Sequence, residues 1–207
     1  MKNRLWYIFF GSVFLGVFFA FTYVARGSAF KQFDFDTTVK LQNHIPISFD
    51  TLFSFFSLVG SFEVITVVFL AIIIINKKLV SFLAFIPFLG AHLIETIGKA
   101  IFHHPGPPHM FFRYNIGFYF PSTYVQPGYS YPSGHSLRTI FISLIFFYFL
   151  KKSKLNLASK ITVGIFIFAV DTLILVSRVS LGEHWTTDVI GGAILGASTA
   201  FFSYLFL

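Results

Sequence analysis

Cysteine is absent from this 207-residue chain, and charged residues are scarce, at 11%. The lack of cysteine excludes disulfides, thiolate metal sites and a cysteine nucleophile. Soluble domains carry roughly 25% charged residues, so the shortage of charge excludes an ordinary water-soluble enzyme, a coiled coil and a disordered chain. Acidic residues are scarcer still: 8 Asp+Glu stand against 15 Lys+Arg, a net charge of +7 with histidine neutral. What fills the chain is apolar. Hydrophobic residues make up 56% and aromatics 21%, with 32 phenylalanines, and mean hydropathy is +0.78. These proportions describe a polytopic membrane protein. Six spans of about 20 residues would use more than half of the chain, so one domain over residues 1–207 is expected. Basic excess in a soluble protein raises the question of nucleic acid; here the charges belong against a bilayer, and no nucleic-acid partner is expected.

Hydropathy predicts six helices, over Leu5–Val24, Ser57–Ile75, Leu79–Ile101, His135–Leu150, Ile161–Val179 and His184–Phe206. The first apolar run exceeds the about 7–15 residues of a signal-peptide core and reads as a retained span. Lys2 and Arg4 precede it, Lys77 and Lys78 separate spans two and three, and Lys151, Lys152, Lys154 and Lys160 separate spans four and five. No acidic residue accompanies them. That is the positive-inside pattern, so a multi-pass protein of the cell inner or plasma membrane with cytoplasmic termini is expected. Three connections fall on the other face. Residues 26–56 interleave Phe33, Phe35, Val39 and Leu41 with Asp34, Asp36, Lys40 and His44, which reads as a short interfacial helix between spans one and two. Residues 103–133 are rich in Pro, Gly, Tyr and His. The third connection, near Ser180 to Glu183, is a tight turn.

Charges in membrane helices are expensive, and those present cluster at the outer ends. Lys99 ends span three, His135 begins span four, Arg178 ends span five, and His184 and Asp188 begin span six. Crossing helices bring these five to one depth, which makes a candidate site. His184 and Asp188 are four residues apart and share a helix face. A carboxylate there holds one imidazole nitrogen as N–H and leaves the other as a nucleophile or base. The same pair also reads as a capping histidine beside a buried, hydrogen-bonded aspartate. Pro132-Ser133-Gly134-His135 stands where a loop enters span four. A helix N-terminus suits an oxyanion such as phosphate. Ser133 fits there as an anion donor or as a plain N-cap, and Gly134 lets an anion approach the backbone.

In order and spacing, Lys99, Pro132-Ser133-Gly134-His135 and Ser177-Arg178-x5-His184-x3-Asp188 resemble the type 2 phosphatidic acid phosphatase and haloperoxidase superfamily. Its signatures read Lys-x6-Arg-Pro, Pro-Ser-Gly-His and Ser-Arg-x5-His-x3-Asp; the second and third are matched in full. The resemblance implies the membrane lipid phosphatase branch: an all-α six-helix bundle that hydrolyses phosphate or diphosphate esters of lipids at the extracytoplasmic face. It implies His184 as the nucleophile that carries a phosphohistidine, Asp188 orienting it and His135 protonating the leaving oxygen. Lys99, Ser133, Gly134 N–H and Arg178 would hold the phosphoryl oxygens. Polyprenyl diphosphate, phosphatidylglycerol phosphate and phosphatidate are the substrates of that type. No cofactor and no metal is expected, since Lys and Arg supply the charge that phosphoryl transfer needs. A lipid phosphotransferase on the same scaffold and a non-catalytic lipid-phosphate binder or transporter are the alternatives.

One signature departs from the pattern. Six residues after Lys99 comes Gly106, then Pro107, where the family has Arg-Pro. Glycine cannot replace a bidentate donor. Arg138, His103, His104 and Arg113 are candidate substitutes. Arg138 also reads as the partner of Glu95, with His92 in the same network, since buried charges are usually paired. Asp171 in mid-span five reads as a hydrogen-bonded interior carboxyl rather than a proton relay, and Gly191, Gly192 and Gly196 as close helix packing. His44 and His109 read as solvated. The aromatic residues of the 103–133 connection, among them Phe112, Tyr114, Tyr119, Tyr124 and Tyr129, are candidates for an apolar portal.

Overall fold

A computed structural model describes residues 2–122 and 129–207. Its regular elements are helical, with no strand among the described residues: α1 (Lys2–Ala25), α2 (Lys31–His44), α3 (Asp50–Val59), α4 (Phe62–Asn76), α5 (Phe85–Ile101), α6 (Gly134–Lys152), α7 (Leu157–Ser180) and α8 (Thr186–Ser203). Short 3-10 turns cover Ile47–Phe49, Leu79–Ala84 and His109–Phe111.

Helix α8 is the centre of the bundle, with α6 and α1 packed most extensively along it and α5 beside them. Glycine makes the approach possible. A Cβ on Gly192 would lie 2.2 Å from the Ser133 carbonyl oxygen, and one on Gly196 would lie 2.3 Å from that of Leu137. The close packing expected of these glycines is therefore present. At the far end of the bundle, Phe69, Phe88 and Phe141 are fully buried, with ring centroids 4.8–5.5 Å apart.

Arg4–Ala25, Leu79–Ile101 and Leu157–Ser180 are long and apolar enough to cross a membrane. A fourth candidate is the bent pair Ile47–Val59 and Phe62–Asn76, broken by 50°. The remaining long helices, α6 and α8, carry serine, threonine, glycine and charge, and much of their surface is buried in protein. Only a lipid-facing surface has to be apolar throughout. The outer helix α7 illustrates the contrast, with Ile165, Phe166 and Phe168 exposed.

Three expected boundaries shift most, and the first is that of the helix expected over Leu79–Ile101, which opens as the 3-10 turn Leu79–Ala84 and becomes α5 only at Phe85. The helix expected over Ser57–Ile75 is interrupted at Gly60-Ser61. Ser61 caps α4, accepting from the Val64 N–H, and Gly60 is wedged against α6 and α7: a Cβ there would lie 3.2 Å from Ile174 and 3.3 Å from His135. The last helix begins at Thr186 rather than at His184, because the Asp188 carboxylate reaches back to the Trp185 N–H at 2.9 Å and fixes the helix start there. His184 and Asp188 therefore do not share a helix face, although they do meet. In the 26–56 connection, α2 is anchored to α8 by Asp34, which accepts from the Thr187 N–H at 2.9 Å and its Oγ1 at 2.7 Å.

Two basic residues lie away from this end. Arg4 donates to the Leu205 carbonyl at 3.5 Å and Lys78 to that of Leu207 at 3.3 Å. Since α8 runs from the site to the C-terminus, this places the two cations at the opposite end of the bundle from His135 and His184.

Candidate functional site

The tight turn between α7 and α8 does much to build the site. Gly182 adopts φ +67°, a left-handed conformation that glycine takes without strain. The N–H groups of Glu183 and His184 both donate to the Arg178 carbonyl at 3.1 Å. The turn thus folds Arg178, Glu183 and His184 together within seven residues of local backbone. On the facing element, Ser133 caps α6 by accepting from the Ser136 N–H. Its own N–H donates to the Asp188 carbonyl at 3.0 Å, which ties the loop before α6 directly to α8.

A cavity of about 330 Å³ opens here, with His135, Arg178, Glu183, His184, Ser57 and Gly106 in its wall. Phe112, Tyr114, Tyr119, Phe120 and Tyr129 form its aromatic side. These five of the aromatic residues in the 103–133 connection line the cavity; Tyr131 of the same connection is buried and hydrogen-bonded to Thr22, and Tyr124 lies outside the described residues.

His184 is buried, with Nδ1 3.3 Å from Asp188 Oδ2. Burial pushes its imidazole down to about 4 despite the pull of Asp188, so the ring is neutral near physiological pH and Nε2 keeps a lone pair when Nδ1 carries the proton. Asp188 is fully buried and holds a second imidazole: Oδ1 lies 3.0 Å from His104 Nδ1. His104 was a candidate substitute for the missing arginine. It stands instead behind Asp188 and does not line the cavity. Burial lowers its pKa, but the hydrogen bond and charge of Asp188 outweigh burial and raise the imidazole above its ordinary value.

Arg178 Nη1 is 2.5 Å from Glu183 Oε2 and also donates to Ser57 Oγ. The second cationic cluster lies deeper. Glu95 joins Lys99 at 2.9 Å, His92 at 2.9 Å and Arg138 at 3.4 Å, and Arg138 Nε also donates to the Gly60 carbonyl at 3.1 Å. Glu95 rests on the N-terminus of α6: a Cβ on Gly134 would lie 1.9 Å from its Oε1. Arg138 thus takes the second of its two expected roles, as the partner of Glu95. Lys99, Ser133, Gly134, Asp188 and Arg138 stand one layer behind the cavity wall.

The other candidates are accounted for. Arg113 binds Asp50 at 2.9 Å, His103 lies against the Tyr129 ring, and Asp171 accepts from Ser143 at 2.5 Å. His44 and His109 are exposed. No cluster of His, Cys, Asp or Glu able to hold a metal occurs among the described residues. Sequence reasoning missed two partners of the site, Glu183 and Asp34. Their signal was there: each is one of only eight acidic residues.

Helices long and apolar enough to cross a membrane, with an imidazole, its carboxylate and a guanidinium converging at one end, describe an integral membrane protein with a charged cavity. The chain belongs to the PAP2 superfamily, whose family model matches residues 78–207. A 73-residue stretch is 40% identical to phosphatidylglycerophosphatase B of Bacillus subtilis (strain 168). That stretch is 34% of this chain and 36% of the relative, so the match spans about a third of the curated protein's length. The fold is similar to the crystal structure of the first transmembrane PAP2 type phosphatidylglycerolphosphate phosphatase from Bacillus subtilis, with TM-score 0.73 and 20% identity over 95% of this chain and 94% of that one. It is also similar to Aquifex aeolicus LpxE, with TM-score 0.61 and 20% identity over 84% of this chain and 95% of that one.

Proposed function

We propose that the protein is an integral membrane lipid phosphatase acting through a phosphohistidine. The observation that carries this reading is the meeting of His184, held by Asp188, with Arg178 and His135 in one aromatic-walled cavity. His184 Nε2 attacks phosphorus and the P–O bond to the lipid breaks. His135 gives a proton to the departing alkoxide, a poor leaving group for which general acid catalysis is worth roughly 10²–10⁴-fold. Water, deprotonated by His135, then cleaves the P–N bond and releases phosphate. Asp188 keeps the His184 tautomer and stabilises the cation formed on attack. Arg178 holds the phosphoryl oxygens directly, while Lys99, Ser133 and the Gly134 N–H at the start of α6 add positive potential from behind the wall. These groups supply the charge without assigning a step to a metal.

The surroundings suit a lipid. Phe112 and Phe120 give an acyl or prenyl chain an apolar wall beside the reacting atom, and the substrate type is a terminal phosphate or diphosphate of phosphatidylglycerol phosphate, phosphatidate or a polyprenyl lipid. The reading includes six spans formed by α1, the bent α3–α4 pair, α5, α6, α7 and α8, a single domain, and α2 lying at the membrane surface. The basic cluster at the end bearing Arg4 and Lys78 supports cytoplasmic termini in the inner or plasma membrane and an extracytoplasmic site.

Purified protein incubated with a panel of lipid phosphates and no acceptor is expected to release free phosphate, and His184→Ala to lose that activity by roughly 10⁴-fold or more. No release by the wild type from any substrate ends the phosphatase reading. Consumption of substrate only when a second alcohol is added points to phosphoryl transfer.

A further inference from the structure

Glu183 stands between Arg178 and His184, and the reaction above gives it no task. Its carboxylate lines the cavity. Oε2 lies 2.5 Å from Arg178 Nη1 and accepts from Ser57 Oγ at 3.4 Å. The Glu183 N–H donates to the Arg178 carbonyl at 3.1 Å, so the turn keeps the carboxylate over the guanidinium of the helix that precedes it. Arg178 Nε is buried with no hydrogen-bond partner among the described residues. The guanidinium therefore has one donor engaged with an internal anion and another unused on the same buried side chain. An oxyanion entering the cavity meets a cation that is already neutralised.

We infer that Glu183 is an internal anion that occupies Arg178 in the empty site and is exchanged for the substrate's phosphoryl group, taking up a proton as it releases the guanidinium. The choice of ligand rests on the phosphatase reading. The exchange itself rests on electrostatics. A carboxylate and an oxyanion cannot both remain ionised against one guanidinium in a buried cavity without a cost in affinity. The short turn limits how far Glu183 withdraws, so neutralisation by a proton is the available route, and the protonated carboxyl then donates to the oxyanion that replaced it. The groups facing Glu183 are Arg178 from α7, Ser57 from α3, Tyr114 and Tyr119 from the 103–133 connection, His135 from α6 and His184 in its own turn. Burial raises the Glu183 carboxyl, against the pull of Arg178 and Ser57, which brings proton uptake within reach.

The exchange has a consequence for specificity. A phosphodiester brings one negative charge, the same as the carboxylate it displaces, and gains nothing in charge from the swap. A terminal phosphoryl group brings up to two. Glu183 thus sets a threshold that monoesters and diphosphates pass and diesters do not.

Sulfate tests this, because it stays doubly charged across the neutral range. Calorimetric titration of the purified full-length protein is expected to show sulfate affinity falling with rising pH, by up to about tenfold per pH unit where one proton is taken up. Glu183→Gln is expected to bind sulfate about tenfold more tightly at neutral pH with a flatter pH dependence, the residual slope belonging to His135 and His184. Equal affinity and equal slope in the two proteins overturn the exchange, as does the absence of sulfate binding in both. A measurement on the wild type alone covers a variant that fails to fold. The infrared difference spectrum on saturation with sulfate is expected to gain the carbonyl stretch of a protonated carboxyl, and a spectrum without it overturns the inference. Sulfate binding that depends on Glu183, in a protein that releases phosphate from no lipid, removes the phosphatase reading and leaves the exchange standing.

Discussion

Two acid–base clusters sit at the same end of the bundle, and they differ in what can reach them. Arg178 and Glu183 form a wall of the cavity. Glu95, Lys99 and Arg138 are buried behind the N-terminus of α6 with His92 half-buried at their edge, and none of the four lines it. Ion pairs of the same chemistry then do different things. A pair open to a ligand is a competition that the ligand can win. A sealed one trades its charges internally, and removing either member strands the other in a dry environment. In the proposed reaction the buried cluster would be the scaffold at the start of α6 and the open pair the binding element.

The sharpest way to break this comparison is to remove one arginine from each cluster. Arg178→Ala is expected to lower kcat/KM for phosphate release by roughly 10²–10³-fold. It should lower Tm little, because water in the cavity reaches Glu183. Arg138→Ala removes one of three partners of Glu95, leaving Lys99 and His92 in place, and is expected to cost about 1–3 kcal/mol of stability, read as a fall in Tm larger than that of Arg178→Ala. Matching effects on rate and Tm in both variants would remove the distinction. Next in size, Gly134→Ala drives a methyl group into Glu95 Oε1. It is expected to destabilise by about 1–3 kcal/mol through overpacking of the sealed cluster, which a thermal unfolding curve reports.

A smaller effect separates the two sides by pH. The His104 imidazole is raised by Asp188, so its contribution to stability is fully present below its unfolded value of about 6.5 and is lost as pH rises through the higher folded value. His104→Gln should therefore lower Tm in acid and converge on the wild type in alkali; a difference that grows with pH would contradict the pairing. The smallest expected change is a gain. Gly106 lines the cavity, and a Cβ there meets Ser130 at an ordinary 3.4 Å, so Gly106→Arg has room to add a second guanidinium to the open side. A few-fold rise in kcat/KM is expected; no change would place that arginine outside the reach of the phosphoryl group.

How much of this was legible in the sequence depends on the range of the interaction. Pro132 to His135 and Ser177 to Asp188 announce themselves because their spacing is set by local backbone: one is a helix entrance and the other a turn of fixed length. The pairing of Glu95 with Lys99 is likewise an i,i+4 matter. The meeting of His104 with Asp188 joins residues 84 positions apart in chain order, and the anchoring of α2 by Asp34 on Thr187 spans 153; hydropathy carries no sign of either. The break at Gly60-Ser61 escaped for a related reason. Its cause is His135 and Ile174 pressing from α6 and α7, and a hydropathy profile of α4 cannot register its neighbours. Burial hid the depth ordering too. Sequence places Lys99 and Arg178 at equivalent helix ends, and only the packed bundle separates the one that faces the cavity from the one behind it.

The contact of α6 with α8 at Gly192 and Gly196 carries one further consequence. Backbone against backbone leaves no side chain to give way, so His135 and Asp188 ride on a single stiff spindle. Any opening of the cavity would then fall to the outer elements, such as α7 or α3 at its 50° junction with α4. Amide hydrogen exchange should divide the molecule along that line, slowest along the spindle and faster in the outer elements.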